Sequence, residues 1–479
     1  MEKIKLTANK LLEILNETDN SERMEFYYNA AVNDLFVADQ HMALAGLLLI
    51  FVRHYYTKLF VNKVVNPFDF FGLKEFSEDK KLNSNSEHLK FHELLQKTNL
   101  EIANCIINGE EIPEKPLIEF KEIQAYTYFC YGKYLECLEC CNNALYRDTT
   151  NALCNFLKAS IMDICYINKT SIVYKIALAN YQKELIEKCD PLHLGIDSRI
   201  YEQVLEEIDE KISSFGEAEK QVNFSSVFNE FEKTQENISE WTEEHEFYLR
   251  HNLFLNPLSN FDKFTECSFE EIENLNVEAD LWNLFLEIVD DYKLTRNITF
   301  LYCKGDKGVG KREMAMAYSY AYSIFDKIAF LLKKAYDLNI DEDYVGFTKK
   351  TLFDVKTGET GMSFGDIKNI NIVPLYFIMK QVREKNNSNV KNALNVGTWE
   401  HNELRNMIDH KSLSLVEEDK LKRNTKILLE YARNAILYTY MLLHSCYPKT
   451  DYCKPTAIST AFFRAIIKIS ENTTPGSNE

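Results

Sequence analysis

Helix-breaking residues are scarce along this chain. Glycine occurs 15 times and proline 9 times in 479 residues. Apolar side chains recur at helical spacing over long stretches, with few Asn-Gly or Asp-Gly turns between them. We therefore predict an all-α fold. The length predicts two or three domains, because a single hydrophobic core does not grow this large.

One stretch of the N-terminal half carries a repeat pattern. Residues 125–164 resemble a tetratricopeptide repeat, with Gly132-x-Tyr134 followed by an Ala-Leu pair and the polar turn RDTTN. Ala125 and Ala159 are 34 residues apart, which is the period of that repeat. A second copy with less of the pattern is expected to follow. Such units bury their faces only against neighbours and build a concave surface for partners.

Two polar stretches are expected to connect helical units. Residues 74–88 are charged and rich in Ser and Asn, and residues 208–226 contain a glycine that could end a helix. The second stretch puts the main domain boundary near 225–240. We expect a tetratricopeptide-like helical region at about 1–225, which serves as a platform for a protein partner, and a helical bundle at about 240–470.

The apolar and cysteine content favours a cytoplasmic protein without a membrane segment. The longest strongly apolar run, residues 42–52, is too short to cross a bilayer, and the first residues lack a signal-peptide pattern. Twelve cysteines in such a chain predict reduced thiols. The cluster CLECC at 137–141 lacks a second ligand pair, so we interpret it as small buried helix residues in preference to a zinc site.

Charge is distributed unevenly between residues 1–300 and residues 301–479. The net charge is −18 over the chain, with −23 in residues 1–300 and +5 in residues 301–479. The C-terminal part could therefore attract a phosphate backbone that the N-terminal part would repel. Solvated surfaces without a nucleic-acid partner explain the same charges equally well.

A glycine-rich stretch resembles a phosphate-binding loop. Gly305-x-x-x-x-Gly310-Lys311 has the spacing of a Walker A loop. Arg312 stands where a magnesium-binding hydroxyl is needed, and no strand that ends in Asp follows at a plausible distance. We favour a turn between two helices here. A nucleotide-driven switch through Lys311 remains an alternative.

The hexapeptide RNMIDH, residues 405–410, is the strongest candidate site. On a helix Arg405 and His410 are about 140° apart, whereas Asn406 and His410 are one turn apart. The simplest structural explanation is an Arg405–Asp409 surface ion pair beside a helix-end histidine. The functional interpretation is that Asn406 fixes the imidazole tautomer and that Arg405 binds a phosphate. Imidazole and guanidinium together suffice for metal-free cleavage of RNA.

Four segments of the chain resemble segments of the HEPN superfamily and occur in the same order along the sequence. They are the signature LRNMIDHKSL (404–413), the long helix AYSYAYSIFDKIAFLLKKAYDL (317–338), HNLFLNPLSNF (251–261) after Trp241, and FLEIVDDYKLTRNITFLY (285–302). The resemblance covers about residues 240–445. Two departures are a short stretch before the long helix, occupied by GDKGVGK, and Asp409 in place of a glutamate.

The resemblance implies a function and roles for single residues. HEPN nucleases are metal-independent endoribonucleases, so His410 would be the catalytic imidazole and Arg405 the cation that binds phosphate. Asn406 would support both. No metal or cofactor is implied, the products would end in 2′,3′-cyclic phosphates, and two bundles would pair as a homodimer around one RNA cleft. The family implies a role as a toxin or in antiviral defence.

Two questions remain open at the level of sequence. A second Arg-Asn pair, Arg433-Asn434, is most simply part of the packing, although Arg433 could reach the RNA. A helical scaffold that keeps the motif without catalysis is the main alternative to a nuclease, and the nucleotide switch is a weaker one.

Overall fold

The computed structural model describes most of the helical parts of the chain. The described residues are 4–17, 21–32, 36–38, 41–61, 87–165, 172–191, 198–216, 242–256, 277–341, 343, 345–348, 371–383, 401, 404–405, 407–408 and 412–446. Residues 74–86 of the predicted connector at 74–88 and the predicted boundary at 225–240 therefore lie outside the described residues, and residues 87–88 begin the helix Glu87–Ile107.

The N-terminal part consists of helices that pack on their neighbours in sequence. They are α1 (Ala8–Asn16), α2 (Ser21–Val32), α3 (His41–Tyr56), α4 (Glu87–Ile107), α5 (Glu114–Cys130), α6 (Tyr134–Leu145), α7 (Ala152–Cys165), α8 (Ile172–Glu187) and α9 (Ser198–Ser213). Strands in the described residues are limited to β1 (Ile4–Leu6) and β2 (Phe36–Ala38), which pair in parallel. The prediction of an all-α fold is confirmed.

The stretch with the repeat pattern forms three successive packed helices. Gly132 adopts a left-handed φ of 66° between α5 and α6, which a glycine tolerates without a steric cost. Tyr134 begins α6 and is buried, and the RDTTN turn separates α6 from α7. Cysteines 137, 140 and 141 are buried in α6. The assignment as a tetratricopeptide repeat stays a prediction.

The C-terminal part is built on long helices that pack side by side. They are α10 (Glu243–Arg250), α11 (Ala279–Lys304), α12 (Lys311–Ala335), α13 (Ile372–Arg383) and α14 (Glu418–Cys446). Helix α12 packs on both α11 and α14, and α13 packs on α14. The predicted helix at 285–302 lies within α11, and most of the predicted long helix at 317–338 lies within α12.

Tyr438 of α14 joins the two parts of the chain. Its hydroxyl accepts a hydrogen bond from the backbone N–H of Leu135 at 3.1 Å and donates one to Glu136 at 2.5 Å. Lys133, the N-cap residue of α6, makes no side-chain capping bond. Because the first N–H groups of a helix have no partner within it, Tyr438 supplies a cap across 303 positions of sequence.

Phe377 of α13 forms a second contact between the two parts. Its ring stacks on His92 at 4.6 Å and on Tyr131 at 5.4 Å between centroids. The ammonium of Lys133 lies 3.1 Å from His92 Nε2 and 5.6 Å from the Phe377 ring centroid. Burial, with Lys133 close by, holds the pKa of His92 well below its ordinary value, so the ring is neutral at neutral pH.

Among the helices that the structure describes, none combines the length and the apolar character that a membrane crossing requires. The apolar run at 42–52 lies instead within α3, where Leu47, Leu48, Phe51 and Val52 are buried.

We predict that Tyr438→Phe weakens the contact between the two parts. The substitution leaves the Leu135 N–H and the Glu136 carboxylate without the hydroxyl, which should cost about 1–3 kcal/mol. The free energy of unfolding in urea measures the effect. Tyr320→Phe on the exposed side of α12 is the matched control and should stay within about 0.5 kcal/mol of the unmodified chain. Equal losses in the two variants would contradict this role of Tyr438.

Candidate functional site

Helix α12 forms one wall of the candidate site. Tyr318 and Tyr322 are one turn apart on this helix, so they share a face. Both side chains are buried, with 0% and 2% of their surface exposed. The face that they form contacts His401 and Arg405. We call the described residues at this point of the chain, 401, 404–405 and 407–408, the motif segment. The packing of α12 on α11 and α14 thus fixes the surface against which the motif segment lies.

His401 anchors the start of the motif segment. It is fully buried, and its ring stacks on Tyr318 at 6.0 Å with an interplanar angle of 26°. The Tyr318 hydroxyl donates to the His401 carbonyl at 2.9 Å and lies 3.1 Å from Nδ1 of the same residue. The His401 ring also forms a T-shaped pair with Tyr431 of α14, with 6.5 Å between the ring centroids. The histidine is therefore held between α12 and α14.

Arg405 follows one turn after His401. Residues 404, 405, 407 and 408 are helical, and Leu404 is fully buried. Arg405 is half-buried, and its guanidinium carbon lies 4.5 Å from the ring centroid of Tyr322. This distance is within the range of a cation–π interaction. The arginine that was predicted to bind phosphate is thus held over an aromatic ring with part of its surface in solvent.

The other predicted site residues lie outside the described residues. These are Asn406 and His410, together with Asp409. The structure therefore gives the position of Arg405 alone among the three predicted catalytic residues. Their convergence on one ligand stays a prediction.

Arg433, the second arginine considered for the RNA cleft, has a different role. Its side chain is 3% exposed. It donates to the backbone carbonyls of Phe254 at 2.5 Å and Asn256 at 2.9 Å, and to the Asn434 side chain at 2.8 Å. A guanidinium used in this way is part of the packing. The simpler of the two interpretations of this residue is correct.

A second buried arginine binds the same segment from a different helix. Arg296 of α11 donates to the Leu253 carbonyl at 2.9 Å, and the Tyr292 hydroxyl donates to the same carbonyl at 2.8 Å. The Arg296 guanidinium carbon also lies 4.0 Å from the Tyr248 ring centroid. Residues 251–256 are thus fixed to α11 and α14 by backbone carbonyls that would otherwise be costly to bury.

The glycine-rich stretch is a turn between two helices. Helix α11 runs to Lys304, and Gly305 ends it with a left-handed φ of 81°. The N–H of Gly308 donates to Asp306 at 2.8 Å, and the N–H of Gly310 donates to Glu313 at 2.8 Å. A phosphate-binding loop directs such N–H groups at the phosphate, whereas here two of them donate to carboxylates of the chain itself. This geometry does not support nucleotide binding through Lys311.

Sequence reasoning missed Tyr318, Tyr322 and His401. The signal for them was present in the spacing. His401 is four residues before Arg405, and Tyr318 is four residues before Tyr322, so each pair lies on one helical face. Which face meets which is set by the packing of two helices that are far apart in sequence, and spacing alone does not reveal it.

Helices α11 to α14 and the motif segment define this part of the chain as an all-α bundle. Residues 297–445 match the family model described as LA2681-like HEPN. This match supports HEPN superfamily membership for residues 297–445, as the resemblance to that superfamily predicted. The match includes α12 and the motif segment and ends in the last turn of α14. The comparison with curated proteins found no match, and the comparison with solved structures found none.

We predict that Arg433→Ala destabilises the bundle. The carbonyls of Phe254 and Asn256 would lose their donor, and each buried acceptor without a partner costs about 1–3 kcal/mol. The free energy of unfolding measures the loss. Arg312→Ala, on the exposed first turn of α12, is the matched control and should change stability little. An Arg433→Ala chain as stable as the control would show that the contacts to residues 251–256 carry no net stability.

Proposed function

We propose that this chain is a metal-independent endoribonuclease whose site is formed by Arg405, Asn406 and His410. The observation that carries the proposal is the position of Arg405. It lies in an HEPN domain, four residues after a buried anchor, with its charge over a buried ring and part of its surface in solvent. An arginine in a purely structural role, such as Arg433, is fully enclosed and bonded to backbone carbonyls.

The proposed reaction is a transfer within the RNA. His410 takes the proton of a 2′-hydroxyl, and the 2′-oxygen forms a bond to the adjacent phosphorus. The bond from phosphorus to the 5′-oxygen breaks, and the protonated His410 returns the proton to that oxygen as it leaves. Arg405 stabilises the additional negative charge on the phosphorane, and Asn406, one turn before His410, orients the imidazole. The products carry a 2′,3′-cyclic phosphate and a 5′-hydroxyl.

Charge supports RNA as the substrate. The C-terminal residues 301–479 carry a net charge of +5, and residues 1–300 carry −23. A polyanion is therefore attracted to residues 301–479, the part of the chain that contains the motif. Sequence-specific reading of RNA uses unpaired bases that splay out of the helix, so single-stranded regions are the expected targets.

The N-terminal helices are proposed to regulate this activity. They contact α13 and α14 directly through Phe377 and Tyr438, and Tyr431 of α14 touches His401 of the motif segment. A protein partner that binds the N-terminal helices would thus act on the helix that follows the motif. A toxin or an antiviral-defence effector is the proposed biological role.

The catalytic assignment is tested with single substitutions. We expect His410→Ala to lower the rate of RNA cleavage by roughly 10²–10⁴-fold, since a general acid and base is lost. Arg405→Ala should lower it by roughly 10²–10³-fold, since one donor to the developing charge is lost. Cleavage of labelled single-stranded RNA by purified protein measures both.

The matched controls are His41→Ala and Arg53→Ala, whose side chains are 45% and 74% exposed in the N-terminal part. They should leave the rate unchanged. Full activity of His410→Ala would reject the nuclease assignment to this motif. RNA binding without cleavage in every variant, the unmodified chain included, would favour the non-catalytic scaffold.

The proposed homodimer is tested by mixing two inactive chains. Arg405 and His410 are about 140° apart on a regular helix, so a two-fold axis that pairs two motifs would let one chain's arginine serve the other chain's histidine. An equal mixture of Arg405→Ala and His410→Ala chains should then recover about a quarter of the unmodified activity, because half of the dimers are mixed and each has one intact site. No recovery after confirmed subunit exchange would place both residues of a site on one chain.

A further inference from the structure

The contact between Arg405 and Tyr322 joins a charged group to a ring that is itself buried. Tyr322 is 2% exposed and belongs to α12, which is packed on α11 and α14. The guanidinium carbon of Arg405 lies 4.5 Å from the ring centroid. A ring attracts a cation through its quadrupole and consumes none of the N–H donors of the guanidinium. The contact therefore restrains the cation and leaves its donor geometry intact.

A second contact fixes the backbone that carries Arg405. Tyr318, one turn before Tyr322, donates a hydrogen bond to the His401 carbonyl at 2.9 Å and stacks on the ring of that residue. His401 is in turn one turn before Arg405. The described residues of the two segments thus meet in two places, Tyr318 with His401 and Tyr322 with Arg405. Attachment at two points fixes both the position and the rotation of the motif segment relative to α12.

We propose that Tyr322 is a positioning residue of the nuclease site, which holds the Arg405 guanidinium where it meets the phosphate in the transition state. The proposal rests on the proposed function. An arginine side chain has many rotamers, and ordering it during the reaction would cost part of the stabilisation that it supplies. The contact with Tyr322 orders the Arg405 side chain when the protein folds, so this entropy is not lost during the reaction. Preorganised charge of this kind stabilises mainly the transition state. Loss of the Tyr322 ring should therefore lower kcat.

The test compares variants that keep or remove the aromatic face. Tyr322→Phe keeps the ring and should cleave RNA at the unmodified rate. Tyr322→Leu removes the ring and should lower kcat by ~10-fold with little change in KM. Tyr322→Met is a second aliphatic variant that adapts to the same space, and it is assayed if the leucine variant unfolds. Tyr320→Leu, on the exposed side of α12, is the matched control and should leave kcat unchanged.

A double-mutant cycle separates positioning from a general loss of structure. In an Arg405→Ala chain the ring has no guanidinium to hold, so Tyr322→Leu should cause no further loss in single-turnover cleavage. A role in structure alone would lower the residual rate by the same factor in both backgrounds, and that result would overturn the proposal. In NMR spectra, the Arg405 Nε–H resonance is the signal of the unmodified protein that disappears in an Arg405→Lys chain. The Tyr322 ring should shift this resonance upfield.

The outcomes distinguish this proposal from the proposed function. Full activity of Arg405→Ala would reject the nuclease site, whatever the Tyr322 variants do. Loss of activity in Arg405→Ala together with unmodified kcat in folded Tyr322→Leu and Tyr322→Met chains would reject the positioning role and leave the nuclease standing. An Arg405 resonance without a ring-current shift would also reject the positioning role.

Discussion

The burial of helix α12 on several sides is the constraint on which the rest of this structure depends. It packs on α11 and α14 along Lys311–Ala335, and its buried residues include Ile324, Phe325, Ile328 and Leu332. Removing this apolar surface from water is the main favourable contribution to the bundle. The helix cannot rotate without exposing it. Tyr318 and Tyr322 are therefore presented at fixed positions, and the motif segment takes its place from them.

Buried polar contacts then join parts of the chain that are far apart in sequence. Arg296 and Arg433 bind the carbonyls of residues 251–256 from two helices, and Tyr438 caps α6 of the N-terminal part. Such contacts stabilise only when both partners are in place, because a buried donor or acceptor without a partner is costly. Helix α14 takes part in two of them and touches His401 through Tyr431. Helix α14 thus contacts both the motif segment and the N-terminal helices.

Features with a local cause could be predicted from the sequence. The scarcity of glycine and proline predicted the all-α fold. Apolar residues at helical spacing up to Lys304 predicted that α11 is followed by a turn and not by a phosphate-binding loop. The HEPN relation was visible because its segments occur in order. Contacts between distant residues could not be predicted. Arg433 and Arg405 both stand in Arg-Asn pairs, and only packing makes the first a buried donor to carbonyls and leaves the second half-buried over Tyr322.

The central claim is that the motif cleaves RNA by transfer to the adjacent 2′-oxygen. The most direct test is the chemistry of the ends produced from single-stranded RNA in the presence of EDTA. A site made of imidazole and guanidinium has no metal-dependent step, so cleavage should persist in EDTA. Each cut should leave a 2′,3′-cyclic phosphate on the upstream fragment and a 5′-hydroxyl on the downstream fragment. RNA that carries a 2′-O-methyl group at the cleavage position should remain intact. Cleavage that EDTA abolishes, or products with 5′-phosphates, would contradict the account.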